Sequence, residues 1–396
     1  MEKDKTADDM GILNVGLVGH IDHGKTTLLQ KLSGKWADTH SEELKRGITI
    51  KLGYADTVIF NDNGNYNIQG KGKKVREVNF VDAPGHEMLM ATMLSGAALI
   101  DVALLVIAAN EGIKPQTREH VMALQAKGIK NVIVIQNKID LVNQKKAEDN
   151  YKEIKNFLKG KYDNAPVIPV SAQQEINIDV LLKMLSEIEV PKKDLDGSPI
   201  FLVARSFDVN RPGALVENLK GAVLGGTLKS GRLKIGDEIE IKPGRIVKEA
   251  NQYKLETVYT KIGGLFRGSK KLEELTPGGS TSIGTELDMA FGKGDLLAGN
   301  VASLKGKLPE LTDNIKLEYG MFSTDGEGKV IEPLKSSELV LLSVNTSTTG
   351  GTVSKFGKGE IEINLKKPVV TFKGDNVGIA RNVNGHWRLI GSGRIL

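Results

Sequence analysis

The sequence predicts an α/β domain, with a mainly parallel sheet and helices on both faces, followed by two all-β barrel domains. Three observations predict it. Up to about residue 198, short apolar runs rich in β-branched residues alternate with longer amphipathic stretches. After "VPKKDLDGSP" (190–199) the pattern becomes short alternating segments divided by Gly-rich turns. At 396 residues the chain is also too long for one ordinary core. The expected domains are 1–198, 199–306 and 307–396.

In the first domain, the runs "ILNVGLVG", "VNFVDAPG", "VALLVIAAN", "NVIVIQNK" and "APVIPVSA" are nearly continuously apolar. They read as strands buried on both faces. Between them, "QTREHVMALQAKG" (116–128) has a helical pattern, with Gly128 placed to end the helix. In the barrels, "RLKIGDEIEIKPG", "ELVLLSVNTS", "GEIEINLKKPVVTF" and "HWRLIGSGRI" alternate with period two. "LKGKLPELTDN" (304–314) is the expected seam between the barrels. No internal repeat is visible.

Composition bounds the function. The chain is 40% apolar and 26% charged, as in soluble globular proteins. The absence of cysteine excludes disulfides and thiolate metal sites and fits a reducing compartment. The charged start "MEKDKTADDM" does not read as a signal peptide, and no run approaches the roughly 18 apolar residues of a membrane span. A cytoplasmic protein without membrane association is expected. The net charge of +5 is too small to announce nucleic acid by itself, and pairs such as Lys73-Lys74 and Lys366-Lys367 read as solvated surface.

"GHIDHGKT" (19–26) fits G-x-x-x-x-G-K-[ST] between a strand and a helix, the context that a phosphate-binding loop requires. Its glycines let backbone N–H groups curl around a β-phosphate beside a helix N-terminus. Asp22, His23, Gly24, Lys25, Thr26 and Thr27 are therefore candidate nucleotide contacts. Lys25 supplies charge to the β- and γ-phosphates, and Thr26 supplies a hydroxyl for Mg²⁺. "DAPGH" ends the next strand: Asp82 suits an outer-shell Mg²⁺ carboxylate, and Gly85 allows close approach to a γ-phosphate. His86 follows that glycine, where it can orient an attacking water. His20 and His23 belong to the phosphate loop, so the histidines do not read as a metal cluster.

"NKID" (137–140) and "SA" (Ser171-Ala172) follow the next two strands and select the base. Guanine presents N1–H and N2–H₂, which the Asp140 carboxylate can accept together, whereas adenine would leave it unpaired. Asn137 is expected to reach the N7 side and tie this loop to the phosphate loop. Lys138 would lie over the base, and the Ala172 N–H would meet O6. The ordered set points to GTP and GDP rather than ATP.

Together, "GHIDHGKTT", "RGITI" (46–50), "DAPGH" and "NKID" resemble the translational GTPases. The blocks "WADTHSEELKRGITIKLGYAD", "MLMATMLSGAALIDVALLVIAANEGIKPQTREH" and "ARSFDVNRPG" narrow the resemblance to the gamma subunit of archaeal and eukaryotic translation initiation factor 2, more closely archaeal. "LVLLSVNTSTTGGTVSKF" and "HWRLIGSGRI" extend it to the end of the chain. The resemblance implies a GTPase, slow without partners, that binds methionylated initiator tRNA in the GTP state. It would deliver that tRNA to the small ribosomal subunit and release it after hydrolysis. It implies alpha and beta subunits of the same factor, docked on the second domain and on the GTPase domain. It further implies that Thr49 ligates Mg²⁺ and senses the γ-phosphate, that Asp22 helps hold the Mg²⁺, and that Ile21 and Ile48 gate His86. Tyr54 and Arg205 become candidates for tRNA contact. His86, Asp22, Lys25 and Thr49 form the expected catalytic set. A sibling reading is an elongation-type aminoacyl-tRNA carrier, and a reading from another class is the GTPase subunit of a metabolic adenylyltransferase. A third is a nucleotide-binding scaffold without hydrolysis.

"NDNGNYNIQGKGKK" (61–74) interrupts the first domain. It reads as the tip of a hairpin, with "NDNG" as the turn. Many members of the resembled family carry paired Cys-x-x-Cys zinc motifs here. This stretch has neither cysteine nor histidine, so no zinc is expected. A shortened, mobile tip, dispensable for GTP binding, is expected instead.

Overall fold

Residues 11–34, 53–82, 90–210, 213, 219–249, 252–268 and 270–396 are described by the computed structural model. The chain divides into two compact units. The first comprises Met1–Pro191 with the short segments Phe322–Ile331 and Val383–Ile390; the second holds Lys192–Met321, Glu332–Asn382 and Gly391–Leu396.

The first unit is built on a seven-stranded sheet. Its strands are β1 (Ile12–Gly19), β2 (Gly53–Asp62), β3 (Asn65–Asn67), β4 (Lys73–Asp82), β5 (Val102–Ala108), β6 (Asn131–Asn137) and β7 (Val167–Pro169), in the order β3-β2-β4-β1-β5-β6-β7. From β4 to β7 all pairings are parallel. The five described helices are α1 (Lys25–Ser33), α2 (Met90–Ala97), α3 (Pro115–Ala126), α4 (Gln144–Leu158) and α5 (Ile178–Glu187). Strands covered on both sides need apolar residues on both faces, and every residue of β5 is buried. Leu13, Val15, Leu17, Leu104, Val106 and Ile135 meet Leu28, Leu32, Leu181 and Leu185 in one core. α3 begins with proline at its first turn and ends with Gly128 at φ 72°, close to the expected helix.

The parallel register brings the ends of the strands to one edge: Leu17 pairs with Asp82, Gly19 with Val106, and Ala108 with Asn137. Loops leaving the carboxyl ends of such strands are where ligands bind in open α/β sheets.

The hairpin is observed, with β2 antiparallel to β4. Asn63 and Gly64 both have positive φ, 52° and 96°, as a tight primed turn demands. The tip departs from the expectation of a mobile loop. Residues 65–67 form a third strand on β2, and Tyr66 and Ile68 pack against the sheet core. Two residues apart on an extended chain, they face the same side. The Asn67 amide then closes the return: its Oδ1 accepts the Gln69 and Lys71 N–H groups at 3.1 and 3.2 Å, and its Nδ2 donates to Lys71 O at 2.9 Å.

The second unit carries both β systems, apart from Val383–Ile390 in the last two strands. Glu238–Glu249, Val301–Leu304, Ile200–Phe207, Val223–Ser230, Thr281–Thr285 and Gln252–Arg267 follow one another in a sheet that closes through pairing of its first and last members. Phe201, Val203, Leu224, Ile239, Ile262 and Ile283 fill it. Thr312–Met321, Glu360–Val369, Ser347–Phe356, Leu339–Val344, Asn376–Val383 and His386–Ile395 form a second closed barrel. Alternate residues such as Ile315 and Leu317, or Ile361 and Ile363, point inward, and closure leaves no sheet edge exposed.

Candidate functional site

The loop between β1 and α1 turns through three residues with positive φ: Gly19 (138°), Asp22 (59°) and Gly24 (89°). Both glycines also answer to close neighbours. A Cβ on Gly19 would lie 2.3 Å from Val106 O, and one on Gly24 would lie 2.4 Å from Asn137 Nδ2. Gly24 caps α1, whose first turn presents Lys25, Thr26 and Thr27. The Lys25 ammonium is held over the loop, donating to Gly19 O at 2.9 Å and His20 O at 2.8 Å.

Asn137, 2% exposed at the end of β6, joins three segments. Its Nδ2 donates to His23 O at 2.9 Å, and its Oδ1 accepts the Ala172 N–H at 3.1 Å. The expected tie between the two loops is therefore present. The Ala172 N–H, expected on guanine O6, is directed to Asn137 Oδ1. Lys138 stands at φ 60° with its Nζ 3.7 Å from Glu111 Oε1. Asp140 is exposed on a short helical turn, Ile139–Leu141, where a carboxylate can receive a base edge. Buried Ser171 accepts the Gln174 N–H at 3.2 Å and shapes the turn after β7.

Two histidines under the loop are neutral. Burial pushes His23 down to about 3, with its Nδ1 3.3 Å from Val106 O, where it donates as N–H. His120 on α3 is likewise pushed down to about 3 by burial, and its Nδ1 accepts the Gly19 N–H at 2.7 Å. His20, lowered by burial, packs edge to face on His23 at 5.0 Å. Positive charge at the loop thus comes from lysine and from helix-end N–H groups.

Asp82 ends β4 wholly buried, in register with Leu17 and Gly53. With the Thr26 hydroxyl it contributes oxygen donors only, the chemistry a hard cation such as Mg²⁺ takes, so the residues present fit that ion. Thr49, Gly85, His86 and Ile48 lie outside the described residues. Ile21 donates its N–H to Gln116 Oε1 at 3.3 Å. Tyr54 is half-buried on β2 opposite Val81. Arg205, in the other unit, is engaged by Asp295, with Nε 3.4 Å from Oδ1; the same oxygen accepts the Ser206 N–H at 3.1 Å.

Sequence reasoning did not single out Gln116, His120 or Glu111. The first two stand four apart in "QTREH", and that i, i+4 spacing of polar residues on an otherwise apolar helix face was the available signal.

Fold and site together define a GTPase of the translation-factor class. The model of the elongation factor Tu GTP binding domain matches residues 10–191, and that of the initiation factor eIF2 gamma C terminal domain matches residues 313–395. The crystal structure of a bacterial selenocysteine-specific elongation factor shares the fold, with a TM-score of 0.77 at 24% identity, covering 97% of this chain and 58% of that one. So does elongation factor SelB from Methanococcus maripaludis in complex with a GTP analogue, with a TM-score of 0.74 at 23% identity, covering 98% and 79%. Translation initiation factor 2 subunit gamma of Methanococcus vannielii is 49% identical over 98% of this chain and all of its own length. Its counterpart in Pyrococcus horikoshii is 50% identical over 97% of both. The chain belongs to the translation initiation factor 2 subunit gamma family, and it is a GTP-binding GTPase of translation initiation. Among the described residues, no helix is long and apolar enough to cross a membrane.

Proposed function

We propose that the loop of residues 19–27 holds the phosphates of GTP or GDP, with Asn137, Lys138, Asp140, Ser171 and Ala172 enclosing guanine. The observation that carries this reading is the Asn137 amide joining His23 O to the Ala172 N–H beside an exposed Asp140. Thr26, Asp82, Asp22 and Thr49 would hold Mg²⁺, which when bound neutralises charge on the β- and γ-phosphates. Lys25 leaves its two carbonyl partners for phosphate oxygens, a stronger charge-assisted pairing. His86 orients the attacking water, and Ile21 and Ile48 keep it dry. Replacement of His86 by alanine is expected to slow hydrolysis and leave GDP affinity unchanged.

In the GTP state the chain binds methionylated initiator tRNA, with Tyr54 and Arg205 among the contacts. It works with alpha and beta subunits on the small ribosomal subunit, in the cytoplasm, and the domain division is 1–198, 199–306 and 307–396. Loss of the γ-phosphate releases the tRNA by removing the contacts that order the switches. The test is a titration of methionylated initiator tRNA with a GTP analogue against GDP. The analogue should tighten binding by about 5- to 150-fold, the usual span of such coupling. Equal affinity in both states refutes the switch.

A further inference from the structure

One face of α3 carries two hydrogen-bond acceptors aimed at the phosphate loop from outside. Gln116 and His120 are four residues apart, so they project side by side. The first accepts the Ile21 N–H at 3.3 Å, and the second accepts the Gly19 N–H at 2.7 Å. His120 is 3% exposed, so its bond is made away from water. Gly19 is thereby held through both of its polar groups, because its carbonyl accepts Lys25 Nζ at 2.9 Å.

We infer that His120, supported by Gln116, is a positioning residue for nucleotide binding: it fixes the Gly19 peptide, and with it the arc from which Lys25 and the following N–H groups meet the phosphates. The inference rests on the phosphate-loop reading above. A site whose donors converge on an anion gains affinity when those donors are already oriented, since the ordering is complete before the ligand arrives. The acceptor is also chosen for charge. A carboxylate at this place would accept the same N–H but repel the phosphates, and a lysine would have no lone pair to offer. Only a neutral acceptor with an atom near the position of Nδ1 meets both demands, and asparagine places its Oδ1 there.

The test is an equilibrium titration of GDP, with far-UV circular dichroism to report folding. His120→Leu fills the space but cannot accept, and is expected to weaken GDP binding about tenfold to a hundredfold, the cost of orphaning a buried N–H. His120→Asn keeps an acceptor and is expected within about threefold of the wild type. Gln116→Leu, at a half-buried position, should weaken binding about three- to tenfold. A folded His120→Leu that binds like the wild type overturns the inference, and so does His120→Asn binding as weakly as His120→Leu. If His120→Leu does not fold, wild-type affinity in Gln116→Leu or a large loss in His120→Asn overturns it. Absence of GDP binding by the wild type itself overturns the phosphate-loop reading and this inference with it.

Discussion

Truncating Asn137 to alanine removes the side chain that hydrogen-bonds both His23 in the loop after β1 and Ala172 after β7, the proposed phosphate and guanine segments. Two bonds go, Nδ2 to His23 O at 2.9 Å and Ala172 N to Oδ1 at 3.1 Å, both buried. Each orphaned backbone group costs about 1–3 kcal/mol when water cannot replace its partner. The vacated volume adjoins Gly24, whose Cβ position lies 2.4 Å from the lost nitrogen, and relaxation into that space recovers part of the cost. A net loss of about 2–4 kcal/mol remains, which is roughly 30- to 1,000-fold in affinity. Both bonds are present without a ligand and orient segments that the proposed site places on the nucleotide, so the loss should appear in GDP titration as well as in the melting of the nucleotide-free protein. Asn137→Asp sharpens the test. It keeps the acceptor for the Ala172 N–H, but sets a carboxylate against the His23 carbonyl, and should bind no better than the alanine variant. GDP affinity of Asn137→Ala within threefold of the wild type would refute the idea that this amide couples the loops.

Gly24→Ala should fold yet lose GDP affinity by about tenfold or more in the same titration, because φ 89° strains any other residue and its Cβ meets the Asn137 amide. His120, pushed down to about 3, binds its proton in the unfolded chain near pH 6.5 but not in the folded one, so its contribution is present above 6.5 and lost as pH falls toward 3. Urea unfolding at pH 6.5 and 5 should show about 2 kcal/mol of this loss in the wild type, at about 1.4 kcal/mol per pH unit, and none of it in His120→Asn. Tyr66→Ala should cost about 1–2 kcal/mol of stability by removing a half-buried ring from the sheet core. It should leave GDP affinity unchanged, because the phosphate and guanine loops make no use of the tip.

What the sequence made legible is what backbone geometry forces into residue type. Gly19 and Gly24 stand where a Cβ would collide, and Asn137 stands where one amide must bridge two segments, so each left a mark in the chain. Strands of the first unit were readable for a similar reason: burial on both faces of β1, β5 and β6 leaves no choice but apolar runs. Within residues 61–74 the hairpin and its turn were legible, but the strand at 65–67 was not, because eight Asn, Gly and Gln residues outweigh Tyr66 and Ile68, two apolar side chains with the spacing of a strand. His120 stayed hidden because its partner is a backbone N–H, which has no signature in sequence, and because a histidine among Val121 and Leu124 reads as core.

The charge arrangement explains how the loop can be ordered before any phosphate arrives. The Lys25 ammonium would be repelled if the histidines beside it, His23 and His120, were also protonated. Burial keeps His23 and His120 neutral, so the positive charge in the loop rests on Lys25. That ammonium is pinned by two carbonyls of the loop itself, 2.8 and 2.9 Å away, so its side-chain entropy is already lost. Glu111 holds Lys138 and Lys114 at 3.7 and 3.8 Å, which keeps two further lysines at the rim without leaving them uncompensated. In the proposed site, phosphate binding would exchange the Gly19 and His20 carbonyl oxygens at Lys25 for charged ones. On that reading, the net gain would come from the difference between those acceptors and not from ordering a flexible chain.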